Sequence, residues 1–198
     1  ISTCNLTISE DNYQQIEEIY DYLTEQHKIE TINPIVVRNE GVYDVPPASK
    51  VALIEAYKKI TKKNVDNVDN GKLRGFSNFD LEGKIINEKN KIQYEMIAET
   101  YLKPKFYSSC VAGSIFGVVT SDGNVLPCEI LDKDKALGNL KDYEFDFMKL
   151  WNDKKANETR KWIKDTKCNC HWECIFTYNL ISSPKYTASI AGKILKSK

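Results

Sequence analysis

Cysteine is almost missing from the first half of this 198-residue chain, where Cys4 stands alone ahead of Cys110. A secreted disulfide scaffold spreads cysteines densely through its loops, and this distribution does not fit one. The opening Ile1-Ser2-Thr3-Cys4 has neither the charged start nor the apolar centre of a signal peptide. No apolar run approaches the ~20 residues that span a bilayer. Lys plus Arg and Asp plus Glu are each 28, so the basic excess expected of a nucleic-acid binder is absent. There is no Ser-His-Asp set, no glycine loop shaped to cradle phosphate and no H-E-x-x-H run, and neither repeats nor low-complexity segments occur. An initiating Met is also lacking, and the chain opens inside an apparent strand. That start reads as a piece of a longer protein cut within a domain.

What is present suits a folded, two-part chain. Hydrophobic residues make up 41% and charged residues 28%, enough for one large core or two small ones. Ile1 to Ile8 reads as a strand. Ser9 reads as a helix cap ahead of acidic Glu10 and Asp11, followed by Ile16, Ile19, Tyr20 and Leu23 on one helical face down to His27-Lys28. Ile32 to Val37 is a second, β-branched strand. Strand, helix and strand make a βαβ unit with a parallel pair. The loop after it, with Arg38-Asn39-Glu40-Gly41 and Asp44-Val45-Pro46-Pro47, lies at the strand end where α/β folds bind ligands.

Further on, Ser49 reads as the cap of a helix over Lys50 to Lys63, with Val51, Leu53, Ile54, Tyr57 and Ile60 as its apolar face. Asn64 to Gly75 reads as a polar loop, and Leu81 to Leu102 as a long helix stopped by Pro104. The composition then shifts. Ile115 to Thr120 and Val125 to Pro127 flank Ser121-Asp122-Gly123-Asn124, an Asp-Gly hairpin signal. Leu137 to Leu140 reads as a turn. Phe145 to Trp151 and Lys154 to Ile163 read as short helices, Cys168 to Cys174 as a tight loop, and Tyr186 to Leu195 as a final helix. The fold class is therefore α/β, with domains at 1–105 and 106–198, the second a small cysteine-rich α+β domain of hairpin and helices.

Five cysteines converge in the second part. Cys110 is followed by twelve residues, Gly123, four more residues and Cys128; Cys168, Cys170 and Cys174 follow as C-x-C-x3-C. The hairpin turns the chain sharply enough to aim Cys128 back toward Cys110, and the later loop closes over both. Thiols so arranged hold a soft metal or oxidise to disulfides, and a reducing cytoplasm favours the metal. Four ligands complete either a tetrahedral zinc or an iron–sulfur cluster, so one of Cys168 and Cys170 reads as a spare, a residue packed beside the site or a ligand to something else. Spacing alone leaves zinc and iron–sulfur both open.

The runs Cys110-Val111-Ala112-Gly113 and Thr120-Ser121-Asp122-Gly123-Asn124-Val125-Leu126-Pro127-Cys128-Glu129 resemble the C-terminal extension of radical S-adenosylmethionine enzymes, the SPASM or shorter twitch domain. Leu137-Gly138-Asn139-Leu140, Leu150-Trp151 and the Cys168-to-Cys174 run resemble the same extension, in the same order. Its C-x(9–15)-G-x4-C element is matched fully. Its later C-x2-C-x5-C-x3-C element is matched only at Cys170-His171-Trp172-Glu173-Cys174. The resemblance therefore implies one auxiliary [4Fe–4S] cluster on Cys110, Cys128, Cys174 and one of Cys168 or Cys170. It also implies that 1–105 supplies the closing βα units of a partial (β/α) barrel. The C-x3-C-x2-C loop that cleaves S-adenosylmethionine in that family is not in this chain. Implied partners are a peptide or small-molecule substrate and a reductant such as flavodoxin or ferredoxin, in the cytoplasm, with no nucleic acid and no membrane. The competing reading is a structural zinc-binding interaction module without catalysis.

Other residues carry weaker signals. Arg38 is the best cofactor- or ligand-binding candidate in the first half, against a surface salt bridge with Glu40 or Asp44. Cys4 reads as a small buried hydrophobe, His27 as a solvated charge at a helix end, and His171 as packing near the ligands. Trp151 and Trp172 read as core or cluster-shielding residues. Lys154, Lys155, Arg160, Lys161 and Lys164 read as a solvated helix face.

Overall fold

The computed structural model describes residues 2–38, 46–76 and 80–196. The chain divides into two compact units: Ile1–Pro104 with His171–Glu173 and Pro184–Lys198, and Lys105–Cys170 with Cys174–Ser183. The last helix thus counts with the first unit rather than with the cysteines.

The first unit begins with strand β1 (Thr3–Ile8), helix α1 (Ile16–Asp21) and strand β2 (Thr31–Val36). The two strands pair in parallel from Thr3 opposite Thr31 to Ile8 opposite Val36, as the βαβ pattern predicts. Alternation places Leu6 and Ile8 in the core and Thr3, Asn5 and Thr7 in solvent. Pro34, which cannot donate to a ladder, is tolerated in this edge position.

Ser9 does not cap α1. The Asn12 side chain instead accepts from the Ser9 N–H at 2.9 Å and donates to the Thr7 carbonyl at 2.8 Å, suturing the strand end. Regular helix starts only at Ile16, and a π-helical turn at Tyr22–Gln26 leads to Lys28 at φ 54°. Of the loop after β2, Asn39 to Val45 lie outside the described residues, as do the partners Glu40 and Asp44 expected for Arg38.

Helix α2 (Pro47–Asp69) starts two residues before Ser49, with a proline at its first turn where a missing N–H costs nothing. It also runs through the first half of the segment expected as a loop. The polar residues that suggested the loop are used inside the fold. Asn64 is only 6% exposed; it accepts from the Tyr20 hydroxyl at 3.1 Å and donates to the Ile32 carbonyl at 3.2 Å. Asn67 donates to Tyr20 as well. The chain turns only after Asp69, at Gly71 and Gly75, both at positive φ. A Cβ on Gly75 would come within 2.8 Å of Val68.

Helix α3 (Asp80–Leu102) packs on α2, with Tyr57 and Tyr94 meeting edge to face at 6.2 Å. Helix α7 (Pro184–Lys196) packs on α3. Ile8, Tyr20, Leu53, Tyr57, Ile60 and Ile97 are fully buried and form the centre of this unit.

In the second unit, strands β3 (Val118–Val119) and β4 (Asn124–Leu126) form the Asp-Gly hairpin. The segment expected as a turn at Leu137–Leu140 is instead a third strand, β5 (Gly138–Asn139), antiparallel to β4. Helices α4 (Phe147–Trp151) and α5 (Lys154–Asp165) follow, each capped by an aspartate, Asp146 and Asp153. Val125, Leu137, Leu150 and Ala156 make the core. One helix was not expected at all: α6 (Glu173–Ile181), which carries Cys174 in its first turn. Among the described residues no helix is long and apolar enough to cross a membrane.

Replacing Asn64 by Leu removes the acceptor of the Tyr20 hydroxyl proton and a donor to the Ile32 carbonyl. It should cost about 2 kcal/mol of stability, read as a lower urea midpoint with an unchanged slope.

Candidate metal centre

All five clustered cysteines belong to the second unit, and each is a free thiol. Cys110 ends the segment that enters the hairpin, and Cys128 follows Pro127 at its exit, 6% exposed. Cys168 and Cys170 lie in the short extended stretch after α5, half-buried, and Cys174 is exposed on α6.

Cys110 and Cys168 lie close enough to shift each other's ionisation, and the charges of Cys128 and Cys170 are also felt at Cys168. Cys110 is pulled down to about 7, first by the Cys168 hydrogen bond and then by donors from Ala112 and Asn179, against burial. Cys168, the donor in that bond, is held well above the usual thiol range. Burial pushes Cys128 up, while backbone bonds from Leu131 and Ile130 oppose the rise. Among the described residues no three His, Cys, Asp or Glu side chains already surround one point as a single metal ion needs.

Main-chain N–H groups aimed at sulfur are the arrangement that a thiolate or a negatively charged cluster wants. Ala112 supplies one to Cys110, and Ile130 and Leu131 supply two to Cys128. The donor set is thiol throughout, which suits a soft metal or cluster.

Local sequence explains how these loops hold their shape. Gly113 sits at φ +72°, and a Cβ there would stand 3.2 Å from Pro127. Arg160 was expected on a solvated face, yet it is half-buried and clamps this turn. Its Nε donates to the Gly113 carbonyl, Nη2 to the Trp151 carbonyl at 2.6 Å and Nη1 to Asn157 at 2.8 Å. Its guanidinium stacks 4.8 Å from the Trp151 ring centre. The lysines around it remain exposed. In the hairpin, Gly123 lies at φ +91° and Asp122 is held down to about 2, chiefly by the Thr120 hydroxyl and then by Lys133. Asn139 of β5 donates to the Asp122 carbonyl and to Asn124, both at 3.2 Å, locking the third strand to the turn.

Residues 110–175 match the family model of SPASM, an iron-sulfur cluster-binding domain. The matched range contains all five clustered cysteines, Cys110 and Cys168 among them. No curated protein matches the chain, and no solved structure does. The residues ahead of Cys110 lie outside the match.

The remaining candidates fall in the first unit. The Arg38 guanidinium lies 4.7 Å over the ring of Trp172, which is 5% exposed. His171 is buried edge-on against Tyr101 at 4.8 Å, and burial, with the charges of Arg38 and Lys50, pushes it down to about 4. Burial raises Glu173 to about 7. Cys4 is half-buried rather than buried, and His27 is exposed beside Tyr22. Two contributors to the cysteine loops, Arg160 and Asn179, carry no signal in the sequence. Their roles depend on carbonyl, amide and sulfur groups far away along the chain.

Gly113→Ala forces a Cβ into a left-handed conformation and against Pro127. It should lower stability by about 1–2 kcal/mol, seen as a lower thermal midpoint.

Proposed function

We propose that this chain is the C-terminal portion of a radical S-adenosylmethionine enzyme, and that its SPASM segment holds one auxiliary [4Fe–4S] cluster. The observation that carries this is the iron-sulfur domain match laid over an all-thiol set whose sulfurs already meet hydrogen-bond donors. Cys110, Cys128, Cys174 and one of Cys168 or Cys170 would hold the cluster. The Cys168 contact with Cys110 favours Cys168 as the fourth ligand. Bound there, the cluster supplies a one-electron centre or a coordination position for substrate in radical-based modification of a peptide or small molecule.

The protein's own part is to hold the thiols and keep donors on their sulfurs. On this reading residues 1–105 belong to a (β/α) barrel, and the auxiliary domain lies within 106–198. Arg38, at the C-terminal end of β2, faces the cofactor or substrate. A flavodoxin or ferredoxin serves as reductant in the cytoplasm. The 198-residue chain alone leaves S-adenosylmethionine intact, since it has no C-x3-C-x2-C loop. The zinc alternative gains no support from the family match, whose description is iron-sulfur.

Anaerobic reconstitution with iron and sulfide should load about four irons per chain. Cys110→Ser, Cys128→Ser, Cys168→Ser and Cys174→Ser should each lose most of that iron, whereas Cys170→Ser and Cys4→Ser should keep it. Stoichiometric zinc with no iron would sink the reading. Loss of iron in Cys170→Ser together with retention in Cys168→Ser would reverse the assignment of the fourth ligand.

A further inference from the structure

Asn179 stands within α6, half-buried, and its amide reaches the Cys110 segment. Its Oδ1 accepts from the Val111 backbone N–H at 2.9 Å, and its amide is also among the groups that lower the Cys110 thiol. An asparagine inside a helix usually turns to nearby backbone, at some cost to the helix. This one reaches across to a segment far away in sequence. The helix that carries it also carries Cys174, so one side chain ties two of the proposed ligand segments together.

Loading a cluster changes which donors survive at Cys110. Ligand thiols give up their protons on binding. The Cys168 S–H donor is therefore lost when Cys168 becomes a ligand. The Ala112 N–H and the Asn179 amide remain. Donors to ligand sulfur stabilise the extra negative charge of a reduced cluster, and so raise its reduction potential.

We propose that Asn179 is a positioning residue for the auxiliary cluster. It fixes Cys110 through Val111, and its amide, held against that segment, raises the cluster's potential. This rests on the iron–sulfur reading above. It goes beyond that reading by naming a residue outside the cysteine pattern, at position 179, past the end of the family match at 175.

The test is a dye-mediated redox titration of the reconstituted 198-residue chain, with the electron paramagnetic resonance spectrum of the reduced cluster as a second readout. Asn179→Ala should load iron like the native chain but be harder to reduce. At fixed ambient potential its oxidised-to-reduced ratio should rise about tenfold, or about 59 mV for one electron, with a changed spectrum. Asn179→Asp keeps the acceptor for Val111 but replaces the donor, so it should fold even if the alanine variant does not, and should shift at least as far. A loaded variant with the native midpoint and the native spectrum overturns the role of Asn179 while leaving the cluster in place. Failure of the native chain to take up iron overturns the iron–sulfur reading, and this inference with it.

Discussion

The approach of Cys110 and Cys168, close enough for each to shift the other's ionisation, closes a loop that contains most of the second unit. Bringing two such distant segments together costs chain entropy, which must be offset by packing along the way. The core of Val125, Leu137, Leu150 and Ala156 provides that packing. Around it, Gly113 makes the turn that Arg160 clamps, Asn139 ties β5 to the hairpin, and Asn179 fastens Val111. Each of these contacts acts on a segment that ends in a cysteine. The unit's fold and its thiol geometry are one and the same problem.

The first unit solves a different problem, the burial of polar side chains beside a small parallel sheet. Tyr20, Asn64 and Asn67 share hydrogen bonds, so the hydroxyl of the fully buried Tyr20 is satisfied. Desolvation without such partners would cost several kcal/mol. Here the network lets α2 cross the sheet at full length. The His171-Trp172-Glu173 run is anchored in this unit, against Tyr101 and Arg38, although its flanking cysteines belong to the other.

Legibility followed the range of the interaction. The parallel strands and the Asp-Gly hairpin were readable because alternation and turn chemistry act over a few residues. The segment that matches the iron-sulfur domain model was readable from its cysteines, since few other roles gather five thiols in one part of a chain. Asn64 misled because a buried, bonded asparagine and a loop asparagine look alike in sequence. Gly138-Asn139 read as a turn because a two-residue strand carries no periodicity. Arg160, set among exposed lysines, and Asn179, one amide in an apolar helix, act only through contacts that the folded chain creates.

Cys110, Cys128, Cys168 and Cys174 as ligands of one cubane cluster make the central claim. It is tested most directly by the Mössbauer spectrum of the native 198-residue chain after anaerobic loading with enriched iron. The expected result is the quadrupole doublet of a diamagnetic [4Fe–4S] cluster with delocalised valence, accounting for most of the iron. A spectrum of isolated ferric or ferrous ions, or no bound iron beside stoichiometric zinc, would contradict it.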